Sequence, residues 1–166
     1  MLRLLTPTNQ RLMNKNNFKI TAMKKVFNIF LPPSRKFKCL TIWPFVFVRL
    51  EHKYNYTKTD DNHENMHGIQ QLEMMTVVAI LLLFSATVFS FSFLWVLTSP
   101  LWYFAFYGLE YALRWLLCGF DSWSAYRNIS FEQEAFLYQS DFNYLKTRKP
   151  FASFRYLFRQ TYRKKA

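Results

Sequence analysis

Glycine is scarce in this chain, with three residues among 166. That scarcity excludes a glycine-rich loop for cradling phosphate. Cysteine is scarcer still: Cys39 and Cys118 lie far apart, and neither belongs to a Cys-x-x-Cys pair. Two free thiols in a reducing compartment are expected, not a disulfide framework. Acid is missing from the first 50 residues, which carry ten Lys/Arg. Charge of either sign is missing from Met74 to Leu109, a run of 36 residues. That run exceeds the roughly 20 residues needed to cross a bilayer. The net charge of +12 therefore flanks an apolar block and does not form a patch on a soluble protein. A membrane-associated protein is expected, and nucleic-acid binding is the weaker reading of the same charge.

What is present divides the chain into one domain with tails. Residues 1–22 are polar, Asn-rich and acid-free. They form a tail, a transit-like segment or an over-long start, with Met23 as the alternative start. The apolar run Val26 to Leu31 is too short for a secretory signal and stops at Pro32-Pro33. Residues 23–158 make a single membrane-associated domain, and 159–166 a basic tail. Cys39 to Leu50 is rich in β-branched and aromatic residues and interrupted by Pro44, which predicts an edge strand or extended segment. Glu51 to Asn62 is a polar loop, and Asp60-Asp61-Asn62 offers an N-cap for a helix from about Asn62. No break separates that helix from the apolar block, so it is expected to run on to about Leu97 as a first membrane helix (74–97). Ser99-Pro100 is expected to break it. A second apolar helix over 101–120 carries Glu110 and Arg114 at i,i+4, spaced to pair. Whether it spans the membrane or lies on it is open.

Twelve Lys/Arg precede Met74 and nine follow Phe120; with Arg114 they make 22. A helical hairpin with both ends in the cytoplasm satisfies this distribution. It returns the C-terminal segment to the face of the membrane from which the first helix left. The Asn55-Tyr-Thr and Asn128-Ile-Ser triplets match a glycosylation pattern of the kind that arises by chance.

Two of the three histidines stand in His63-Glu64-Asn65-Met66-His67. On a helix, i and i+4 share a face, so both imidazoles can hold one Zn²⁺ at about 2.0–2.1 Å. Glu64 lies roughly 100° round the helix, close enough to take a proton from a water activated by the metal. A catalytic site needs a third protein ligand and one open position. Beyond the apolar block, Ser130 with Gln133 forms a capping-box pattern that places Glu132 and Glu134 in a first helical turn. The two point to different faces, so one can face a metal while the other faces solvent. Tyr126 and Arg127 are candidate oxyanion donors or interfacial anchors. His52 is a candidate support for the site or a solvated residue. The C-terminal tail, Lys146 to Ala166, holds eight Lys/Arg, with anionic lipid as its simplest partner.

Several of these stretches resemble one family. They are Leu40-Thr41-Ile42-Trp43-Pro44-Phe45, His-Glu-x-x-His followed by Gln70-Gln71-Leu72-Glu73, Ala125-Tyr126-Arg127-Asn128-Ile129-Ser130-Phe131-Glu132-x-Glu134-Ala135, and Asp141 through Phe151. Together they resemble small membrane-associated proteins of Bacteroidetes-type bacteria over roughly residues 23–158. The motif also resembles the gluzincin zinc metallopeptidases, where a downstream Glu-x-x-Ala supplies the third ligand. That resemblance implies His63, His67 and Glu132 as ligands of Zn²⁺ and Glu64 as the catalytic base. Many gluzincins carry Asp after that Ala. Here the residue is Phe136, and Glu134 is the available substitute, as a supporting carboxylate or even as the ligand.

The expected fold is mainly α: a helical membrane hairpin with a gluzincin-like active-site helix, a C-terminal helix and a short extended segment. The expected function is a membrane-associated zinc metallopeptidase acting on a peptide or protein substrate. The expected location is a bacterial cytoplasmic membrane with the site facing the cytoplasm, or alternatively a mitochondrial inner membrane. The competing readings are a non-catalytic membrane interaction protein with a vestigial motif and an accessory subunit of a membrane complex. The oligomeric state is open.

Overall fold

Thr57 starts the longest element. Its hydroxyl accepts from Asp60 N at 3.2 Å while the Asp60 carboxylate accepts from Thr57 N at 2.8 Å, a reciprocal capping box. Helix α1 therefore spans Lys58–Phe89, starting a turn earlier than the Asp60-Asp61-Asn62 cap implied. The two aspartates lie inside the first turn, where the helix dipole favours them. The computed structural model describes residues 23–28 and 37–162. The tail assigned to 1–22, the Pro32-Pro33 stop and residues 163–166 lie outside the described residues.

The described chain is mainly helical with one small sheet. Strands β1 (Lys24–Asn28), β2 (Cys39–Ile42) and β3 (Phe45–Arg49) lie in the order β1-β3-β2. β2 and β3 are antiparallel, pairing Thr41 with Val46, and β1 is parallel to β3, pairing Val26 with Phe47. The extended segment expected over Cys39 to Leu50 is thus two strands, and its second half is the central strand. Pro44 sits in the tight connection, through a cis Trp43–Pro44 bond, where no ladder hydrogen bond is asked of it. Val46 and Val48 are buried on one face of β3. The Gln71 side chain ties the sheet to α1: it donates to Thr41 O and accepts from Trp43 N, both at 2.8 Å. Gly68, one turn before Gln71 on α1, leaves room for Met23; a Cβ there would lie 2.6 Å from the Met23 sulfur.

α1 ends at Phe89, short of the expected Leu97, because Ser90 takes the left-handed conformation (φ 56°). Ser92 then accepts from Leu94 N through its hydroxyl and starts a 3-10 helix, Phe93–Thr98. Serine hydroxyls that bond nearby backbone compete with helix continuation. Ser99-Pro100 does not break a helix; it opens the next one, α2 (Ser99–Leu117). Proline fits the first turn because its missing N–H has no partner there anyway. The 3-10 segment packs back along α1, and it delivers Tyr103 to within 3.4 Å of His67.

Past Gly119 and Phe120, both at positive φ, come three short helices: α3 (Ser122–Arg127), α4 (Ser130–Tyr138) and α5 (Tyr144–Thr147). A 3-10 turn over Ala152–Tyr156 follows. α4 is not capped by Ser130. Its N-cap is Ile129, and Glu110 of α2 takes both Ser130 N (2.9 Å) and Ser130 Oγ (2.6 Å). Gln133 instead donates to Asn128 O and Arg159 O. Glu110 and Arg114 pair at 3.2 Å as their spacing predicts, but the pair is buried and holds α4 and the backbone of Leu157. Asn128, from the glycosylation-like triplet, is buried and clamps Tyr162 N and O.

The apolar half of α1 is bare. Only 6% of its most apolar 18-residue stretch is buried, and Ile80, Leu81, Phe84 and Phe89 are exposed. Among the described residues, α1 alone is long and apolar enough to cross a membrane.

Candidate metal centre

α4 is fixed at three points, and that fixing positions Glu132. Glu110 holds its N-terminus, the Gln70 amide of α1 donates to Phe131 O at 3.2 Å, and Asn62 of α1 donates to Gln139 O at 2.9 Å. Glu132 is thereby turned onto the face of α1 that carries His63 and His67. The imidazole Nε2 atoms of His63 and His67 lie 3.1 Å apart. Glu132 Oε2 is 3.4 Å from His63 Nε2, and Oε1 is 3.3 Å from His67 Nε2. All three side chains are buried.

A metal ion could sit among them: one ligand atom from each residue lies within 4.8 Å of the others, somewhat wider than the roughly 3.3 Å between donors about 2.0–2.1 Å from a tetrahedral zinc. The bonding of the cluster itself is incomplete. Among the described residues, His63 Nδ1 and Glu132 Oε2 are buried without a hydrogen-bond partner, Oε2 having only the 3.4 Å ionic contact to His63 Nε2, a costly condition for polar atoms away from water. Two imidazole nitrogens at 3.1 Å with a carboxylate beside both make a donor set of the kind that binds divalent ions.

The surroundings orient each ligand. His67 Nδ1 donates to Gln70 Oε1 at 2.9 Å, which leaves Nε2 for the cluster. The Gln70 amide cannot flip without loss, because its nitrogen donates to Phe131 O and to Glu134 Oε2 at 3.0 Å. Metal-binding histidines are commonly held by such a partner on the far nitrogen. Tyr107 donates to Glu132 Oε1 at 2.9 Å. Glu64 Oε2 accepts from the Thr41 hydroxyl of β2 at 2.5 Å. Phe136 packs edge-on against His63, with ring centroids 4.6 Å apart.

Electrostatics follow from burial and proximity. Burial works against a charged His67, but the Glu132 carboxylate more than offsets it and raises the imidazole pKa to about 9. Burial would raise the pKa of Glu132, yet His67 first, and the nearness of both imidazoles, hold it well below the usual carboxylate range. Tyr126 faces the same carboxylate. Burial first, then Glu132, raises its hydroxyl pKa well above the ordinary value. Burial and then Glu64 likewise raise the pKa of Cys39, which stays a neutral thiol.

His63, Glu64, His67, Tyr126 and Glu132 all line one cavity of about 450 Å³, with Tyr103 and Phe104 on its α2 side. Two expectations need correction. Arg127 does not enter the cavity; its guanidinium stacks 3.6 Å from the centre of the Phe136 ring. Glu134 does not face solvent and is not a ligand. It is fully buried against Arg148 and Tyr144, and it reaches His67 only through Gln70. His52 lies beside Glu51, outside the cavity. Residue-type reasoning missed Thr41, Gln70, Tyr103 and Tyr107. The tyrosines had a signal: Tyr103, Tyr107, Glu110 and Arg114 form a polar stripe at helical spacing in an apolar segment.

Compared with protein-family models, curated proteins and solved structures, the chain matches none.

Proposed function

We propose that His63, His67 and Glu132 hold a zinc ion and that the chain is a membrane-associated zinc metallopeptidase. One observation carries this reading: three buried side chains, two on α1 and one more than 60 residues later on α4, bring one ligand atom each to within 4.8 Å of one another, beside a cavity that Glu64 also lines. Zinc is the metal that two histidines and a glutamate most often select at a hydrolytic site. Bound there, it would act as a Lewis acid toward a peptide carbonyl and an attacking water. Glu64 takes the proton at its carboxylate and passes it to the leaving amine. Thr41 restrains Glu64 in the orientation this needs. The Tyr126 hydroxyl, kept protonated by its surroundings, donates toward developing negative charge. The gluzincin resemblance supports the same assignment through Glu132 and Ala135.

The membrane half of the proposal rests on the bare apolar stretch of α1 and the basic residues on either side of it. It places Met74–Phe89 in lipid, with the 3-10 segment returning beside it in a short hairpin. The site then lies at the cytoplasmic face of a bacterial inner membrane, or of a mitochondrial inner membrane if residues 1–22 act as a presequence. The basic C-terminal segment rests on anionic headgroups.

Metal analysis of the purified full chain tests the assignment. The wild type is expected to hold one zinc, and Glu132→Gln none. Glu64→Gln is expected to keep zinc and lose hydrolysis of a peptide library. Wild-type protein without zinc sinks the metal centre and leaves a membrane interaction protein or an accessory subunit. Wild-type hydrolysis by Glu64→Gln sinks the peptidase while sparing the metal.

A further inference from the structure

The cavity beside the histidines does not end there. A second cavity, of about 310 Å³, shares Phe37, Cys39, His63, Glu64 and Tyr126 with the first. The two adjoin at His63 and Glu64, which line both, one arm on either side. Phe37 from the sheet side and Tyr126 from α3 meet edge to face there, 4.9 Å between ring centres. The arms differ in chemistry. The first is lined by Leu40 and Phe104, with Arg49 also in its wall, and the partly exposed Phe104 stands one turn from Leu101, which is 65% exposed on the apolar surface of α2. The second runs past Lys38, Asp60 and Gln139, with Lys38 and Asp60 paired at 3.2 Å.

A site that removes a terminal residue needs one closed arm that recognises a chain end. A cleft with two arms meeting at the catalytic residues instead accepts chain on both sides of the reacting bond. The apolar arm matches an apolar stretch, and binding in such a pocket discriminates by burial. The polar arm matches a hydrated one. We propose that the site takes an internal segment of polypeptide whose one side is apolar and whose other side is polar. The apolar part enters from the lipid-facing mouth at Phe104. The substrate class is therefore a membrane-anchored polypeptide cut beside its anchor. This proposal rests on the peptidase reading above.

The test uses the full-length, zinc-loaded Glu64→Gln chain in detergent and fluorescent twelve-residue peptides, acetylated and amidated. Half of each peptide is apolar and half polar, in both sequence orders, beside an all-polar control. One of the two orders is expected to bind at least about tenfold tighter than the control, the scale of discrimination an apolar pocket provides. Phe104→Asp and, independently, Leu40→Asp are expected to erase that preference while zinc content stays at the wild-type level. Mass spectrometry of products from the wild type is expected to show internal cuts at the junction. Equal binding of all three peptides overturns the proposal, as does cutting restricted to short peptides with a free terminus, which would leave the hydrolase intact. A retained binding preference without any cutting by the wild type supports the cleft and sinks the peptidase instead.

Discussion

Glu132 and Glu134 stand two residues apart on α4, and both are buried, yet they belong to clusters of opposite character. Around Glu134 every charge is answered. Arg148 meets Glu134 through Nε (2.8 Å) and Nη2 (3.1 Å), and meets Glu73 through Nη1 (2.5 Å) and Nη2 (3.0 Å). Tyr144, Gln70 and the Phe151 amide fill the remaining acceptor sites. Around Glu132 the bonding is incomplete: two imidazole nitrogens face each other, and two buried atoms have no hydrogen-bond partner among the described residues. The saturated cluster fastens the C-terminal segment to α1. The unsaturated one is a donor set held ready by its neighbours. Gln70 touches both, so the saturated cluster orients His67 of the other.

The comparison breaks most visibly at Arg148. Arg148→Met leaves the buried Glu134 and the half-buried Glu73 without their cation, and it is expected to cost about 3–5 kcal/mol in denaturant unfolding of the detergent-solubilised protein. Glu132→Gln is expected to cost far less in the metal-free protein, because His67 can shed its proton when its partner carboxylate is gone. Equal losses from the two substitutions would erase the distinction between the clusters.

Metal sharpens the contrast from the other side. Zinc at about 100 times its Kd is expected to stabilise the fold by about 2.7 kcal/mol, read as a rise in Tm. The rise should vanish in His63→Ala and persist in Glu64→Gln. A rise that survives His63→Ala would put the ion somewhere else.

The link between the clusters is testable through Gln70. Gln70→Ala removes the acceptor on His67 Nδ1 and is expected to weaken zinc binding about 10–100-fold, measured by competition with a chelator. Unchanged affinity would mean that His67 needs no such support.

The last test is one of pH. In the metal-free protein the pKa of His67 is raised from 6.5 to about 9. The stabilisation from its pairing with Glu132 is thus complete below about pH 6.5 and is lost as pH rises from there through about 9. Zinc requires the unprotonated imidazole. Its affinity should therefore climb by up to about tenfold per pH unit over that window and level off above it. Competition titrations at stepped pH check this; a flat profile would remove the His67–Glu132 ion pair from the picture.

Some of this was legible along the chain. The His63–His67 spacing, the uncharged block and the i,i+4 pairing of Glu110 with Arg114 depend on helical period alone, and they stand in the structure. The glutamate pair shows where that kind of reasoning stops. Helical spacing put Glu132 and Glu134 on different faces, but it could not say that the second face was covered. Arg148 and Tyr144 arrive there from later in the chain, and Glu73 from α1. The capping pattern at Ser130 was present in sequence, yet Glu110 took its place by approaching from another helix. Phe136 carried no carboxylate and Arg127 carried a charge, but their stacking on one another was a matter of packing.

The sequence by itself determined which atoms could be ligands, because a four-residue helical spacing is a local consequence of backbone hydrogen bonding. It also determined that one stretch of α1 would be apolar on every side. Only the tertiary structure decided which of two neighbouring glutamates completes the donor set. That choice depends on the 3-10 return after Ser90 and on the polar stripe of α2. It depends too on the three anchors that set the rotation of α4. Each of these is a contact between residues distant in sequence, and such contacts exist only once the chain has closed on itself.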